Sequence, residues 1–204
     1  KLIIASNQNN VLTELFNKGV YNSKRKLNVS YSPSMDILVS SNFERYLYDL
    51  ANQDHKRVKD IMEELSDKGS VFIKEVLTQK DFYAEYCTEE ETLQEIKKVY
   101  NEHKYLIDPH TAVASYVSKE YQKQTNDQRY MLVVSTANPY KFTDAVLHAL
   151  ELDETGTILE KFSAIESRTN QLIDERMKTV LSSKNKKIEV TLEHAYNYVK
   201  KVIG

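Results

Sequence analysis

Two short polar segments follow apolar, strand-like runs, and both are places where ligand-binding side chains occur. Residues 6–10 (SNQNN) come directly after the apolar run 2–5, and residues 135–138 (STAN) end the run 130–135. In open parallel sheets, ligands bind beyond the carboxyl ends of the strands. A hydroxyl or amide there is held by the strand behind it and faces the crevice. The alternative is structural, because Thr136 or Asn138 could simply cap the next helix.

Histidine and cysteine show no catalytic or metal-ligand spacing. The five histidines, none of which pairs with another at a metal-binding interval, are His55, His103, His110, His148 and His194. The single Cys87 cannot form an internal disulfide and has no neighbouring histidine, which favours a buried structural thiol. His110 differs because it falls in the first turn of a predicted helix, where the dipole and free N–H groups favour an anion. The alternative is a partly exposed first-turn residue.

Composition narrows the class of protein. The chain has 204 residues and a net charge of −2, so it carries no global basic field that would attract nucleic acid. The basic runs at 24–26 and 184–187 are expected to be solvated loops. No apolar run approaches the roughly 20 residues that span a bilayer, and no signal peptide is visible. We therefore expect a cytoplasmic protein without nucleic-acid or membrane partners.

Glycine is scarce, with four residues in the chain. An α/β enzyme that grips a phosphate normally carries a glycine-rich turn whose N–H groups face the anion, and neither that turn nor a Gly-x-Ser-x-Gly motif is present. The sequence also begins with Lys1 directly at an apolar run. Either the protein binds no phosphate, or its phosphate loop lies upstream of Lys1.

Periodicity predicts how these residues are positioned. Apolar residues at helical spacing predict helices at 11–18, 42–52, 54–67, from 89, at 109–124, from 136 to 150, at 164–182 and at 191–202. Strands are predicted at 2–5, 71–76, 130–135 and 188–190, and a long loop at 20–36. Of the four predicted strands, residues 130–135 have the strongest pattern. Helices alternating with short buried strands predict an α/β protein: a three-layer α/β/α arrangement with a mostly parallel sheet.

Four segments resemble segments of the threonine synthases. Residues 1–21 resemble the strand-turn-helix that follows that family's catalytic core. The others, in the family's order, are residues 32–37 (SPSMDI) with 41–45 (SNFER), residues 107–114 (IDPHTAVA) and residues 135–142 (STANPYKF). The resemblance implies that residues 1–204 are the C-terminal portion of the large pyridoxal-phosphate-binding domain, with a helical insertion near 42–104. It also implies that the sheet is incomplete because the N-terminal part is missing.

The resemblance further implies a fold-type-II pyridoxal-phosphate enzyme, which converts O-phospho-L-homoserine and water into L-threonine and phosphate. By motif position, Thr136 matches the hydroxyl that faces the cofactor's ring nitrogen. The family's Schiff-base lysine, its asparagine beside the ring and its glycine-rich loop all precede the point matching Lys1. No catalytic residue is therefore expected in this chain, which should be inactive alone. Asn138 stands where many members of the family have histidine.

Four other residues are candidates for contacts with substrate or for lining the crevice: Asn7, Asn10, His110 and Asn138. The implied substrate is the small molecule O-phosphohomoserine, and strands missing beside residues 2–5 would leave a surface prone to self-association. A second hypothesis remains open, in which the same scaffold serves as a non-catalytic binding or assembly module. A lysine and a glycine-rich loop upstream would favour the enzyme.

Overall fold

A computed structural model describes residues 1–182 and 188–203 of the chain, and the basic run at 184–187 lies outside this part. The strands are β1 Leu2–Ser6, β2 Val20–Asn22, β3 Ser70–Phe72 and β4 Phe82–Tyr86. The helices are α1 Val11–Lys18, α2 Phe43–Leu50, α3 His55–Lys68, α4 Glu89–His103, α5 Pro109–Thr125, α6 Thr143–Ala149, α7 Ile158–Thr169, α8 Glu175–Ser182 and α9 Leu192–Ile203. None of the described helices has the length and apolar content needed to cross a membrane.

The chain divides into two compact units, Lys1–Gln171 and Leu172–Gly204. The first contains both sheets and helices α1 to α7, and the second contains α8 and α9. Apolar side chains of α9, including Leu192, Tyr196 and Val202, are exposed. The candidate ligand residues all belong to the first unit.

Two small sheets organise the first unit. β1 pairs in parallel with β4, in a register that runs from Leu2 opposite Phe82 to Ser6 opposite Tyr86. β2 pairs antiparallel with β3. Since a parallel pair needs a crossover between its strands, the chain between β1 and β4 returns through helices α1 to α3. The α/β class predicted from the sequence is confirmed.

Separate apolar clusters hold the sheets to the helices. The larger cluster joins α1, α2 and α3 to β2 and β3 through buried residues that include Leu15, Tyr21 and Ile61. A smaller cluster of Cys87, Val113 and Val117 lies between α5 and the β1–β4 sheet, and Met35 packs against it. The position of α5 on this sheet is what places its first turn near the polar residues that follow β1.

Gly19 ends α1 and connects it to β2. Its φ of 73° lies in the left-handed region, and its N–H bonds to the carbonyl of Leu15 at 2.7 Å. A Cβ atom built on Gly19 would lie 2.7 Å from a ring carbon of Phe72. The left-handed backbone therefore favours glycine here, and any larger residue would also have to displace the Phe72 ring.

The prediction of a strand at 130–135 is wrong, because the described structure has no strand in this segment. Tyr130 and Leu132 are almost completely exposed, at 105% and 90% of full exposure. β-propensity expresses how well a side chain packs on a pleated, half-buried surface, so it produces a strand only where a neighbouring strand pairs with the segment. Among the described residues, no strand pairs with this one.

Other boundaries also differ from the sequence-based expectations. The strand predicted at 71–76 shortens to β3 and continues as a 3-10 turn, Lys74–Thr78, while the predicted loop at 20–36 contains β2. Residues 188–190 form no strand. The helix predicted at 164–182 is two helices, because Asn170 adopts a left-handed conformation and ends α7. The helix predicted from 136 begins with a 3-10 turn, Pro139–Phe142, before α6.

The strand β4 was not predicted, although it is the parallel partner of β1. Residues 42–104, where a helical insertion was predicted, contain α2, α3 and α4 together with β3 and β4. A short strand such as β4 is defined by a partner about 80 residues earlier in the chain, which periodicity within the segment does not reveal.

Two leucine substitutions should distinguish packed from unpacked segments. Leu15 is fully buried in the larger cluster, so Leu15→Ala should lower the free energy of unfolding by about 2–5 kcal/mol. Leu132→Ala should change it by less than about 0.5 kcal/mol because its side chain is exposed. Urea unfolding at low protein concentration measures both. A loss above about 1 kcal/mol for Leu132→Ala would mean that residues 130–135 are packed as a strand after all.

Candidate functional site

The buried carboxylate of Asp108 organises the start of α5. Asp108 caps the helix by accepting the backbone N–H of His110 at 3.0 Å and that of Thr111 at 3.4 Å. Pro109 occupies the first helical position, where its missing N–H is not needed. Burial raises the pKa of the Asp108 carboxyl, but hydrogen bonds from His110 and Thr111 outweigh it and leave the pKa below its usual value. Asp108 is therefore ionised at neutral pH.

His110 uses both ring nitrogens inside the protein. Its Nδ1 lies 2.9 Å from Asp108 Oδ1, and its Nε2 accepts the backbone N–H of Ser34 at 3.1 Å. The ring also meets Phe142 edge-on, with 4.7 Å between centroids. The alternative of a partly exposed first-turn residue is wrong, because His110 is only 9% exposed. The Asp108 carboxylate already occupies the helix N-terminus, where an anion was expected.

Thr111 connects this carboxylate to the turn that contains Thr136. The Thr111 hydroxyl hydrogen-bonds Asp108 Oδ2 and also lies 3.1 Å from Ser135 Oγ. Ser135 and Thr136 are both exposed, and within the described part of the chain the Thr136 hydroxyl has no hydrogen-bond partner. Asn138 accepts the N–H of Tyr140 at 2.9 Å and so caps the 3-10 turn. Of the two capping candidates, Asn138 is the cap, while the exposed Thr136 hydroxyl takes no part in capping.

Asn7 lies in a second polar cluster, which joins the turn after β1 to the segment around Asp36. The Asn7 side-chain amide donates to Asp36 Oδ1 at 2.8 Å and to Ser32 Oγ at 3.0 Å. Asn9 donates to the same Asp36 oxygen at 2.9 Å, and Ser30 donates to it at 2.7 Å through its hydroxyl. Asn7 is buried, so these bonds use its amide within the protein.

Asn10 belongs to a different group. Its side-chain oxygen accepts from Arg25 Nη1 at 3.0 Å, and Arg25 also pairs with Glu14. These residues line a surface cavity of about 240 Å³. The structure thus connects Asn7, His110 and the turn at 135–138 through the 32–36 segment and α5, while Asn10 lies beside Arg25.

Several residues of this arrangement were not among the sequence-predicted site residues. They are Ser34, Asp36, Thr111 and Ser135. All four lie within the quoted motifs, and two of them, Thr111 and Ser135, are next to the predicted residues His110 and Thr136. Membership of a motif was the only signal in the sequence. The contacts that assign them a role join residues 76 and 24 positions apart in the chain, Ser34 to His110 and Thr111 to Ser135.

Cys87 is a buried thiol, as predicted, and does not belong to the site. Burial raises its pKa to about 12, despite the opposing contact with the Thr92 hydroxyl at 3.3 Å. A thiol with this pKa has almost no thiolate at neutral pH and is a poor nucleophile. Among the described residues, no group of three or more histidine, cysteine or acidic side chains could hold a metal ion.

Comparisons with known proteins support the family resemblance that the four motifs indicate. A family model described as "Threonine synthase, C-terminal" matches residues 111–203. The threonine synthase of Schizosaccharomyces pombe is 36% identical, over 94% of this chain and 43% of that protein. The crystal structure of the yeast enzyme superposes with a TM-score of 0.79 at 32% identity, covering 100% of this chain and 42% of that one. This chain belongs to the threonine synthase family.

Within the threonine synthase family, the chain corresponds to the C-terminal region and spans less than half the length of the relatives it matches. A protein named threonine synthase-like 1, from Macaca fascicularis, is 42% identical over 76% of this chain but only 21% of its own length. A pyridoxal-phosphate-bound threonine synthase from Brucella melitensis superposes with a TM-score of 0.67 at 34% identity, covering 76% of this chain and 33% of that one.

Removing the Asp36 carboxylate should destabilise the turn that follows β1. Asp36→Ala removes the acceptor that the buried amides of Asn7 and Asn9 share with the half-buried hydroxyl of Ser30, so we expect a loss of about 3 kcal/mol in the free energy of unfolding. Asp60→Ala is the matched control, because Asp60 is exposed on α3 and should cost less than about 0.5 kcal/mol. Denaturant titration of both variants measures the difference. Equal stabilities would show that the Asp36 cluster does not hold the turn.

Proposed function

We propose that this chain is the C-terminal part of a pyridoxal-phosphate-dependent threonine synthase, which converts O-phospho-L-homoserine and water into L-threonine and phosphate. The observation that carries the proposal is the Ser135–Thr136 turn. Ser135 is tied to the buried Asp108 carboxylate through Thr111, while the adjacent Thr136 hydroxyl is exposed and, in the described part of the chain, unpartnered. An exposed hydroxyl on a turn that is hydrogen-bonded to the start of α5 could meet the ring nitrogen of the cofactor.

The chemistry of Thr136 fits the cofactor. When bound, pyridoxal phosphate supplies an aromatic ring that stabilises carbanions as an electron sink. A threonine hydroxyl can donate to the ring nitrogen or accept from it, so it does not demand a protonated nitrogen as a carboxylate would. Thr136 would therefore bind and orient the ring without fixing a positive charge on it.

The other candidates have more limited proposed roles. Asn138 and Asn10 keep part of their side chains accessible, so they remain candidates for contacts with substrate. Asn7 and His110 use their polar atoms within the protein and would shape the crevice wall. The Schiff-base lysine and the phosphate loop of the family match no segment of this chain. We propose that the rest of the protein supplies them, and that residues 1–204 alone are inactive.

A second candidate function is a non-catalytic binding or assembly module on the same scaffold. The observation that favours it is the identity of some relatives: proteins named threonine synthase-like 1 match at 39–42% identity, compared with 34–36% for those named threonine synthase. A Schiff-base lysine and a glycine-rich loop in the longer reading frame would favour the enzyme over this alternative. A cytoplasmic location is also proposed, in keeping with a single unpaired cysteine.

Turnover and stability together test the role of Thr136. The longer protein should release phosphate from O-phosphohomoserine in the presence of pyridoxal phosphate, whereas residues 1–204 alone should release none. Thr136→Val in the longer protein keeps the side-chain shape but removes one hydrogen bond, worth about 0.5–1.5 kcal/mol net. We expect kcat to fall about tenfold, since about 1.4 kcal/mol is a factor of ten. Thermal stability should be nearly unchanged.

Ser135→Ala is the matched control for the neighbouring hydroxyl. Because Ser135 is bonded to Thr111 within the protein, its loss should lower stability more than Thr136→Val does. Turnover that survives Thr136→Val but is lost in Ser135→Ala would assign the cofactor contact to Ser135. Turnover by residues 1–204 alone would overturn the proposal that the lysine lies elsewhere.

Self-association of the isolated chain is proposed through the unpaired edge of β1. In the described structure β1 pairs only with β4, and a groove of about 580 Å³ separates β1 from residues 130–134. Leu2 and Leu132 beside this groove are exposed. Open strand edges and exposed apolar area favour pairing with a second copy.

Light scattering at millimolar concentration tests this self-association. We expect it to detect dimers, and we expect Leu132→Lys to reduce them. A strictly monomeric chain would contradict the proposal.

A further inference from the structure

The two ring nitrogens of His110 have opposite hydrogen-bonding roles. The backbone N–H of Ser34 can only donate, so Nε2, which lies 3.1 Å away, must accept and carries no proton. The ionised Asp108 carboxylate can only accept, so Nδ1 at 2.9 Å carries the ring proton. The contacts define a neutral imidazole with its proton on Nδ1.

We infer that His110, in this neutral form, is a positioning residue that couples the 32–36 segment to the Ser135–Thr136 turn. That this coupling helps to bind the cofactor rests on the proposed function. The coupling itself depends only on contacts within this chain. On one side of the ring, the 32–36 segment is held to the turn after β1 by Asn7 and Asp36. On the other side, Asp108 is bonded to Thr111, and Thr111 to Ser135.

Each step of this path has a physical reason. His110 is nine-tenths buried, so loss of either ring contact would leave a polar group without a partner, which is costly. The Phe142 ring packs edge-on against the imidazole and limits its rotation. Since Phe142 ends the 3-10 turn that follows Thr136, His110 contacts the STANPYKF segment directly as well as through Asp108.

This geometry does not favour a catalytic role for His110. A general base needs a nitrogen lone pair that can reach the substrate, and a general acid needs a proton it can release to it. The Nε2 lone pair of His110 is directed to Ser34, and the Nδ1 proton to Asp108. The ring therefore orients its neighbours and does not exchange protons with a ligand.

The first test is nitrogen NMR of the 204-residue chain with ¹⁵N-labelled histidine rings. At neutral pH we expect His110 to show a proton on Nδ1 and an unprotonated, hydrogen-bonded Nε2. The signals are assigned by their disappearance in His110→Asn. A proton on Nε2, or a cationic ring, would overturn the inference. No cofactor is needed, so this result is independent of whether the proposed enzymatic function is correct.

The second test asks whether His110 controls the turn. An asparagine at 110 can still donate to Asp108 but is too short to accept from Ser34, so the Ser34 amide should exchange with solvent about tenfold faster in His110→Asn. The methyl NMR signals of Thr111 and Thr136 should shift, while those of Thr88 and Thr157, the caps of α4 and α7, should not. His103→Asn, at an exposed histidine at the end of α4, is the matched control.

A Ser34 amide that is unprotected in the native chain, or a Thr136 methyl signal that does not move in His110→Asn, would overturn the positioning role. If His110→Asn fails to fold, His110→Gln replaces it, because the longer amide can accept from Ser34 while losing the geometry of the Asp108 contact. In that variant we expect Ser34 to stay protected and the Thr111 and Thr136 signals to shift. Unchanged Thr111 and Thr136 signals would contradict the coupling.

Discussion

A carboxylate withdrawn from water is stable only when donors surround it, and Asp108 meets this condition with the first turn of α5 and the side chains of His110 and Thr111. Satisfying one buried charge therefore fixes three things together: the start of a helix, the orientation of an imidazole and the position of a hydroxyl. Because the hydroxyl of Thr111 continues to Ser135, the geometry of the exposed turn at 135–136 depends on this one charge.

Asp36 plays a comparable part on the other side of His110. It collects donors from Asn7, Asn9 and Ser30, and so joins the turn after β1 to the segment that donates to the imidazole. The four motifs that resemble threonine synthases, which are separate in the sequence, are thus joined to one another by polar contacts. Their apolar neighbours support the same arrangement, since Met35 packs against the cluster that holds α5 to the β1–β4 sheet.

Local chemistry made the helices predictable. The helices predicted from 89 and at 109–124 begin where expected. Thr88 and Glu91 form a capping box at the first, and Asp108 and Pro109 begin the second, and such a cap depends on residues three positions apart or fewer. Strands were harder, since β4 exists through pairing with β1, and residues 130–135 have a strand composition but no partner among the described residues. The contacts of the candidate site were also difficult to predict because they join distant parts of the chain. Motif order indicated which segments matter, whereas the Ser34–His110 contact spans 76 residues and could not be predicted from either segment.

The burial of Cys87 has a practical consequence. As the single cysteine of the chain, with its pKa raised to about 12 by burial, it offers almost no reactive thiolate to a maleimide or iodoacetamide reagent under native conditions. A cysteine introduced at an exposed position such as Leu132 could therefore be labelled selectively with a fluorophore or spin label while the native thiol stays in place. Pairs of cysteines introduced on the two sides of the groove beside β1 could therefore carry labels for distance measurements without prior removal of Cys87.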